Sequence, residues 1–337
     1  MIPRGTGMVT ARQVAESLGV AVSTVGRALA DDPRISPRTK LLVREAAERL
    51  GYVESLPAQM MRGGSSRLIG LMLPDIRNSF YATIADAMSA CCDAAGYQLV
   101  FSIADSPEAE ARHVRHLASA RAAGIVIVPT PDPRPETCEM LARFPHVQLL
   151  RRVPGLSPAW FGIDDMECLR AGTAHLIARG HRRIAYIGGS TAYSTGAARL
   201  AGFRRAFSEA GIDPALAIER LGPPADGRFG AEAVASLWEE ASPPSAIITG
   251  AVQLTGAVLQ TLAGSRPAGA SELAIVGFGD EPSFSWWRGE LTAIAMPIQE
   301  LAQACGSWLI ERLQAGAAIE AHAGTASARL VSYPQRG

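Results

Sequence analysis

Between residues 67 and 333 the chain alternates short, almost wholly apolar runs with longer stretches of helical periodicity, and no other feature restricts its fold as much. The clearest runs are "RLIGLMLP" (67–74), "GIVIVPT" (124–130), "RRIAYIGG" (182–189), "SAIITG" (245–250) and "LAIVGFGD" (273–280). A strand that is apolar on both faces must be covered on both faces, which means a parallel sheet between layers of helices. The spacing predicts further strands at 97–104, 146–152, 291–296 and 327–333. Helices are expected near 79–95, 107–123, between 130 and 146, and at 165–179, 195–210, 227–241, 252–263 and 298–314. The pattern runs through twice, so two doubly wound lobes in tandem are predicted, with the tail crossing back between them. In such folds a ligand lies in the crevice at the carboxyl ends of the strands.

The chain of 337 residues is long enough for two or three domains. Its 48% hydrophobic and 19% charged residues describe a globular protein rather than a disordered one. No 18-residue apolar run marks a membrane span, and the N-terminus lacks the apolar core of a signal peptide. Five scattered cysteines without a CxxC pair read as reduced, buried thiols in a cytoplasmic protein. His113 and His116 share a helix face, but no other ligand accompanies them, so no metal is expected.

Catalytic signatures are missing. There is no GxxxxGK[ST] phosphate loop and no GxSxG nucleophile elbow. "GGST" (188–191) follows a strand but lacks a dinucleotide fingerprint. The body is read as binding a molecule rather than transforming it, with no cofactor and no enzymatic activity.

The first fifty residues have a different texture. Thr10 can cap a helix running to Leu18, with Val14, Ala15 and Leu18 on one face and Gly19 ending it. A second helix, about Val22 to Leu29, offers Val25, Ala28 and Leu29 to the same core. Ser36-Pro37 opens a third, with Leu42, Val43, Ala46 and Leu50 as its apolar stripe and Gly51 as its stop. Three helices this short can do little beyond holding one of them outward, which is the logic of the helix-turn-helix. The groove-facing candidates are Val22, Ser23 and Arg27; the other reading is a helical hairpin of some other small bundle. Residues 1–67 hold ten basic and six acidic residues, a balance of +4, and the rest of the neutral chain carries −4. That asymmetry fits a head that meets phosphate, though a charge excess so small also arises by chance. Lys40 is the only lysine, which codon bias explains. The following segment, "ESLPAQMMRGGSS" (54–66), predicts a short helix with Met60 and Met61 exposed. It is suited to wedging an apolar side chain into a minor groove, or to packing as a greasy linker on the body.

Taken in order, "VTARQVAESLGVAVSTVGRAL", "DDPRISPRTKLLVREAAERLGYV", "RLIGLMLPDIRNSFYATI", "HLIARGHRRIAYIGG", "RLAGFRRAFSEAGI" and "ELAIVGFGDEP" resemble the lac repressor / galactose repressor family of bacterial transcriptional regulators. The similarity spans Val9 to about Val331. It implies a helix-turn-helix DNA-binding domain (1–53), a hinge helix (54–66) and a two-lobed body like a periplasmic binding protein (67–337). The lobes would be about 67–164 with 295–323, and 165–294 with 324–337. It further implies a homodimer on double-stranded operator DNA, with operator affinity controlled by a small-molecule effector. No heptad-bearing tail follows Val331 to suggest a tetramer. A solute-sensing binding protein without specific DNA binding is the alternative.

Carried over by position, Val22, Ser23 and Arg27 fall where the family reads the major groove. Thr10, Thr24, Ser36 and Tyr52 fall where it holds phosphates. Met61 falls on the intercalating leucine and Ala58 on the alanine that faces its twin. Ala21 and Gly26 replace serines, losing a helix cap and helix propensity worth roughly 1 kcal/mol each. In the body, Phe80, Asp164, Arg199 and Asp280 match positions that line the effector pocket; for each, a buried ion pair or core packing is the other reading. Gly250-Ala251 stands where the family has Asn-Asp, Gly279 where it has Asp, and Arg151 where an Asp often closes a strand. With acceptors lost and a cation gained, a pocket holding Arg151 and Arg199 suits an acidic or phosphorylated sugar.

Overall fold

The computed structural model describes residues 9–52, 66–264, 273–287 and 289–333. Ala58 and Met61, expected in a hinge helix, lie outside the described residues. The chain divides into two compact units, residues 1–66 and 67–337.

The first unit is three short helices: α1 (Ala11–Leu18), α2 (Val22–Leu29) and α3 (Pro37–Leu50). Thr10 closes a capping box on α1: the Gln13 N–H reaches its hydroxyl, and its own N–H reaches Gln13 Oε1 at 2.8 Å. Gly19 and Gly51 end α1 and α3 in the left-handed conformation. Val14, Ala15, Val25, Ala28, Val43, Ala46 and Ala47 form the core. The apolar stripe of α3 therefore differs from expectation. Ala47 is inside, whereas Leu42 and Leu50 are 46% and 37% exposed. A core built mainly from alanine and valine draws the backbones too close to admit those leucines.

The second unit contains two six-stranded sheets with the same strand order. The first runs β11-β5-β4-β3-β1-β2, from β1 (Leu68–Leu73), β2 (Gln98–Ile103), β3 (Gly124–Ile127), β4 (His146–Leu149), β5 (Ala159–Ile163) and β11 (His322–Ala326). The second runs β12-β10-β9-β8-β6-β7, from β6 (Ile184–Gly189), β7 (Ala217–Gly222), β8 (Ala246–Thr249), β9 (Ala274–Phe278), β10 (Leu291–Ala295) and β12 (Arg329–Tyr333). Every pairing is parallel except β10 with β12. The central strand β1 is buried along its whole length, as a strand covered on both faces must be.

Helices α4 (Ser79–Ala94), α5 (Pro107–Ser119), α6 (Pro135–Leu141) and α11 (Ile298–Ala315) belong with the first sheet. Helices α7 (Asp165–Ala178), α8 (Ser194–Glu209), α9 (Gly227–Leu237) and α10 (Val252–Gly264) belong with the second. The chain crosses between sheets three times: after β5, after β10, and between β11 and β12. The last crossing follows residue 326 rather than 323, because β11 pairs with β5 as far as Ala326 opposite Ile163. In both sheets the strand order reverses between the first and third strands, and this reversal opens a crevice at their carboxyl ends.

Candidate functional site

In the first unit, the exposed face of α2 carries Val22 (48% exposed), Ser23 and Arg27, with Thr24 half-buried. Ala21 is the N-cap of α2 and makes no side-chain bond, so the first N–H groups of this helix lack the partner a serine would supply. Gly26 is turned inward and buried. Thr10 and Ser36 are both caps; the Thr39 N–H donates to Ser36 Oγ at 3.2 Å. Tyr52 is half-buried against the small core. Two of the head's acids are spent internally. Asp31 bridges to Lys40 and Arg44 at 3.1 and 3.2 Å, and Asp32 holds Arg34 at 2.7 Å. A hydrogen bond from Lys40 and one from Arg34 hold the two carboxyls below the ordinary range. The Arg27 guanidinium has no ion-pair partner among the described residues.

In the second unit, a cavity of about 230 Å³ opens where the carboxyl ends of both sheets meet. Asp75 follows β1, Asp105 follows β2, and Leu150 and Arg151 follow β4. From the other sheet come Ser190 after β6, the Pro223-Pro224 turn after β7, Val252 and Gln253 after β8, and Phe278 from β9. Phe80 and Tyr81 enter from the start of α4 as an edge-to-face pair with centroids 5.4 Å apart.

Arg199 reaches the cavity from α8 and is fixed on three sides. Its Nε and Nη2 both donate to Asp165 Oδ1 at 2.7 Å, its Nη1 donates to the Gly250 carbonyl at 2.7 Å, and its plane lies 4.0 Å over Phe278. Burial pushes the Asp165 carboxyl upward and the Arg199 charge pulls it back. Arg151 lies across the cleft. Its guanidinium stacks 4.0 Å from the Tyr193 ring and donates to the Pro129 carbonyl at 3.3 Å. No carboxylate of the described residues is within ion-pair distance of it. Burial works against the charge of Asp75, but hydrogen bonds from the Arg77 side chain and backbone, and one from Gln253, outweigh it and lower its carboxyl. The cleft thus offers guanidinium donors, carboxylate acceptors and aromatic faces together, which is what a small polyhydroxylated ligand needs.

Three of the five expected pocket residues meet here: Phe80, Arg151 and Arg199. Two do not. Asp164 is the exposed N-cap of α7, accepting from the Glu167 N–H at 3.0 Å, beside Ser327 and Arg329 at the crossovers. The neighbouring Asp165, one position into the helix, is the residue that turns inward. Asp280 accepts the Tyr333 hydroxyl proton and lines a separate groove with Thr83 and Glu300. Gly279, at φ 99°, turns the chain just after β9, a conformation that penalises the aspartate the family carries there. Gly250 has its own reason: a Cβ there would lie 2.4 Å from the hydroxyl of Tyr186, which is fully buried beneath the cleft floor without a hydrogen-bond partner. Sequence reasoning missed Asp165, Phe278, Tyr193, Asp75 and Asp105. The last two stand directly after strands, where the switch-point rule would have looked.

Among the described residues no group of three His, Cys, Asp or Glu could hold a metal, and no helix is long and apolar enough to cross a membrane. Of the five free cysteines, Cys92, Cys168 and Cys305 are buried, while Cys91 and Cys138 are half-exposed.

A helix-turn-helix unit and a two-lobed cleft at paired switch points define the class: a DNA-binding head on a ligand-binding body. Residues 10–55 match the profile of bacterial regulatory proteins of the lacI family, and residues 173–332 match that of a periplasmic binding protein-like domain. The HTH-type transcriptional regulator GalR of Salmonella typhimurium (strain SL1344) is 26% identical, covering 88% of this chain and 86% of its own length. The ribose operon repressor of Escherichia coli (strain K12) is 27% identical, covering 91% and 93%. A crystal structure of the lac repressor dimer bound to operator and the anti-inducer ONPF superposes with a TM-score of 0.81 at 24% identity, covering 96% of this chain and 98% of that one. The chain thus carries a lacI-family regulatory domain followed by a periplasmic binding protein-like domain, and over most of its length it is similar to these transcriptional regulators. Its relatives are regulators and repressors, not enzymes.

Proposed function

We propose that the protein is a cytoplasmic repressor whose affinity for operator DNA is set by a small acidic or phosphorylated sugar held between the lobes of its body. The observation that carries the effector class is Arg151, a cleft cation with no carboxylate of the described residues within ion-pair distance. Asp165 already offsets the charge of Arg199, so that side chain offers its remaining N–H groups to ligand oxygens mainly as oriented donors. Arg151 keeps its charge available for an anionic group. Asp75 and Asp105 accept from hydroxyls, and Phe80 covers an apolar face.

The head supports the DNA role. Val22 and Ser23 begin the second helix of a helix-turn-helix and Arg27 stands four residues on, all exposed. That is where such helices contact base edges. Thr10, Thr24, Ser36 and Tyr52 flank it as candidate phosphate contacts, with Met61 and Ala58 in the following linker. We infer a homodimer from the body. Edge strands β2 and β7 occupy matching positions in the two sheets and expose Phe101 (44%), Ile103 (42%) and Leu221 (39%). Uncovered apolar sheet edges are liabilities that a second copy removes. Two heads then read two half-sites one helical turn or a multiple apart.

Fluorescence anisotropy with DNA from the regulated promoter, with and without gluconate-like acids, sugar phosphates and the parent neutral sugars, tests the reading. Acids are expected to shift operator affinity more than their neutral parents. Neutral sugars acting equally well or better remove the acidic class. Binding with no preference over random DNA favours the solute-sensing alternative.

A further inference from the structure

Arg151 and Tyr193 do not simply line the cleft; they divide it from a second cavity of about 210 Å³. Its walls are the 129–131 turn after β3, residues 151–154 after β4, and residues 191–194 leading into α8. Two features separate it from the main cleft. Both Arg151 and Arg152 line it, and no carboxylate does. Its polar side chains also have protons to give. Ser194 Oγ accepts the Arg152 N–H at 2.8 Å, which leaves its own proton free. Thr130 is 2% exposed; its N–H is taken by Glu110 Oε2 at 2.7 Å, and its hydroxyl, near the same carboxyl, makes no well-formed hydrogen bond. A buried hydroxyl left poorly bonded is costly, and it commonly marks a place where a ligand or water belongs. The 16-residue helix α8 starts here, and its N-cap, Tyr193, makes no side-chain bond to the first turn.

We propose that this side cavity is an oxyanion subsite, seating the phosphomonoester group of an effector whose hydroxylated part lies in the main cleft. The inference rests on the effector reading above and adds the position of the charged group. A phosphomonoester brings several strong acceptor oxygens and a charge near −2, matching the guanidinium groups and hydroxyls of this lining. Glu110, 1% exposed, stands behind Thr130 outside the lining. Burial pushes its carboxyl above the ordinary range, while hydrogen bonds from the Thr130 backbone and side chain and the charge of Arg151 draw it down. Pro129, Pro131 and Pro154 stiffen the rim, so little ordering remains to oppose binding.

Calorimetric titration of the full-length protein with inorganic phosphate, at ionic strength held constant with chloride, tests the subsite. Wild type binds phosphate, Thr130→Val weakens it about tenfold, and Thr130→Ser restores it. If Thr130→Val does not fold, Ser194→Ala carries the test with a several-fold loss. No phosphate binding by wild type, or equal binding by wild type and Thr130→Val, overturns the subsite. Acetate binding as tightly as phosphate overturns the phosphomonoester assignment. The parent reading fails separately: if no small molecule changes operator affinity, there is no effector cleft, whatever phosphate does. If neutral sugars change it while phosphate fails to bind, the cleft stands and the subsite falls.

Discussion

Replacing Asp165 with alanine should be among the most damaging single changes in the body, and its size can be worked from the pair it breaks. Asp165 and Arg199 expose 6% and 13% of their side chains, and two guanidinium N–H groups share one carboxylate oxygen at 2.7 Å. Alanine strands a buried cation with only the Gly250 carbonyl and the Phe278 face for company. Breaking such a pair from one side costs about 3–5 kcal/mol. Asparagine keeps an acceptor but loses the charge, and should cost about 1.5–3 kcal/mol. Arg199→Met strands the carboxylate instead, which can take up a proton, so that variant should cost less at acidic pH than at neutral pH. Removing both partners, as Asp165→Leu with Arg199→Met, should fall within about 1 kcal/mol of wild type, because neither desolvation penalty remains. Urea unfolding followed by tryptophan fluorescence reads this cleanly, since all five tryptophans (160, 238, 286, 287 and 308) are in the body. A loss under about 1 kcal/mol for Asp165→Ala, or a double variant that loses the sum of the singles, would mean that the two charges do not depend on each other for their burial.

Four further outcomes are expected. Ala21→Ser should return the missing cap of α2 and stabilise the head by about 1 kcal/mol, visible as slower amide exchange in α2. Gly250→Ala should cost about 1–3 kcal/mol through overlap with Tyr186, and Tyr186→Leu in the same chain should recover part of it. Burial raises the Glu110 pKa above its reference of 4.5, so the folded state holds that proton longer than the unfolded chain. Stability contributed by the neutral form is present below 4.5 and lost as pH rises through the raised value; Glu110→Gln should flatten that slope in urea midpoints measured against pH. Arg27→Ala should weaken specific operator binding by about 1–3 kcal/mol while leaving the body's unfolding unchanged.

The regular elements were legible because period and punctuation agreed. Helix α2 begins and ends where its apolar spacing says, and α3 starts at Ser36-Pro37 and stops at Gly51 for the capping reasons given. Strands β5, β7 and β11 were not legible. β7, "AIERLG", mixes a charged pair into a half-exposed edge strand, and β11, "HAGTA", is mostly small residues whose pairing is supplied by β5. Tertiary context, not local preference, makes them strands. The cleft was half legible. Phe80 and Arg199 follow the family's positions, and Arg151 stood out as a cation in an acceptor's place. Asp164 and Asp165 are chemically identical neighbours, and only the geometry of the turn into α7 decides which one caps and which one turns inward. Gly250 read as a lost acceptor; the cause, Tyr186 filling the space below it, lies 64 residues away and leaves no local trace.

Coupling of a groove-reading head to a ligand cleft within one molecule can be read in a single assay. It is tested most directly by anisotropy titration of promoter DNA against random-sequence competitor at fixed salt, with and without a sugar phosphate. Specific binding should be at least about a thousandfold tighter than random, and that ratio should change when the ligand is added. Equal binding of promoter and random DNA, or a ratio indifferent to every sugar, sugar acid and sugar phosphate tried, would contradict it.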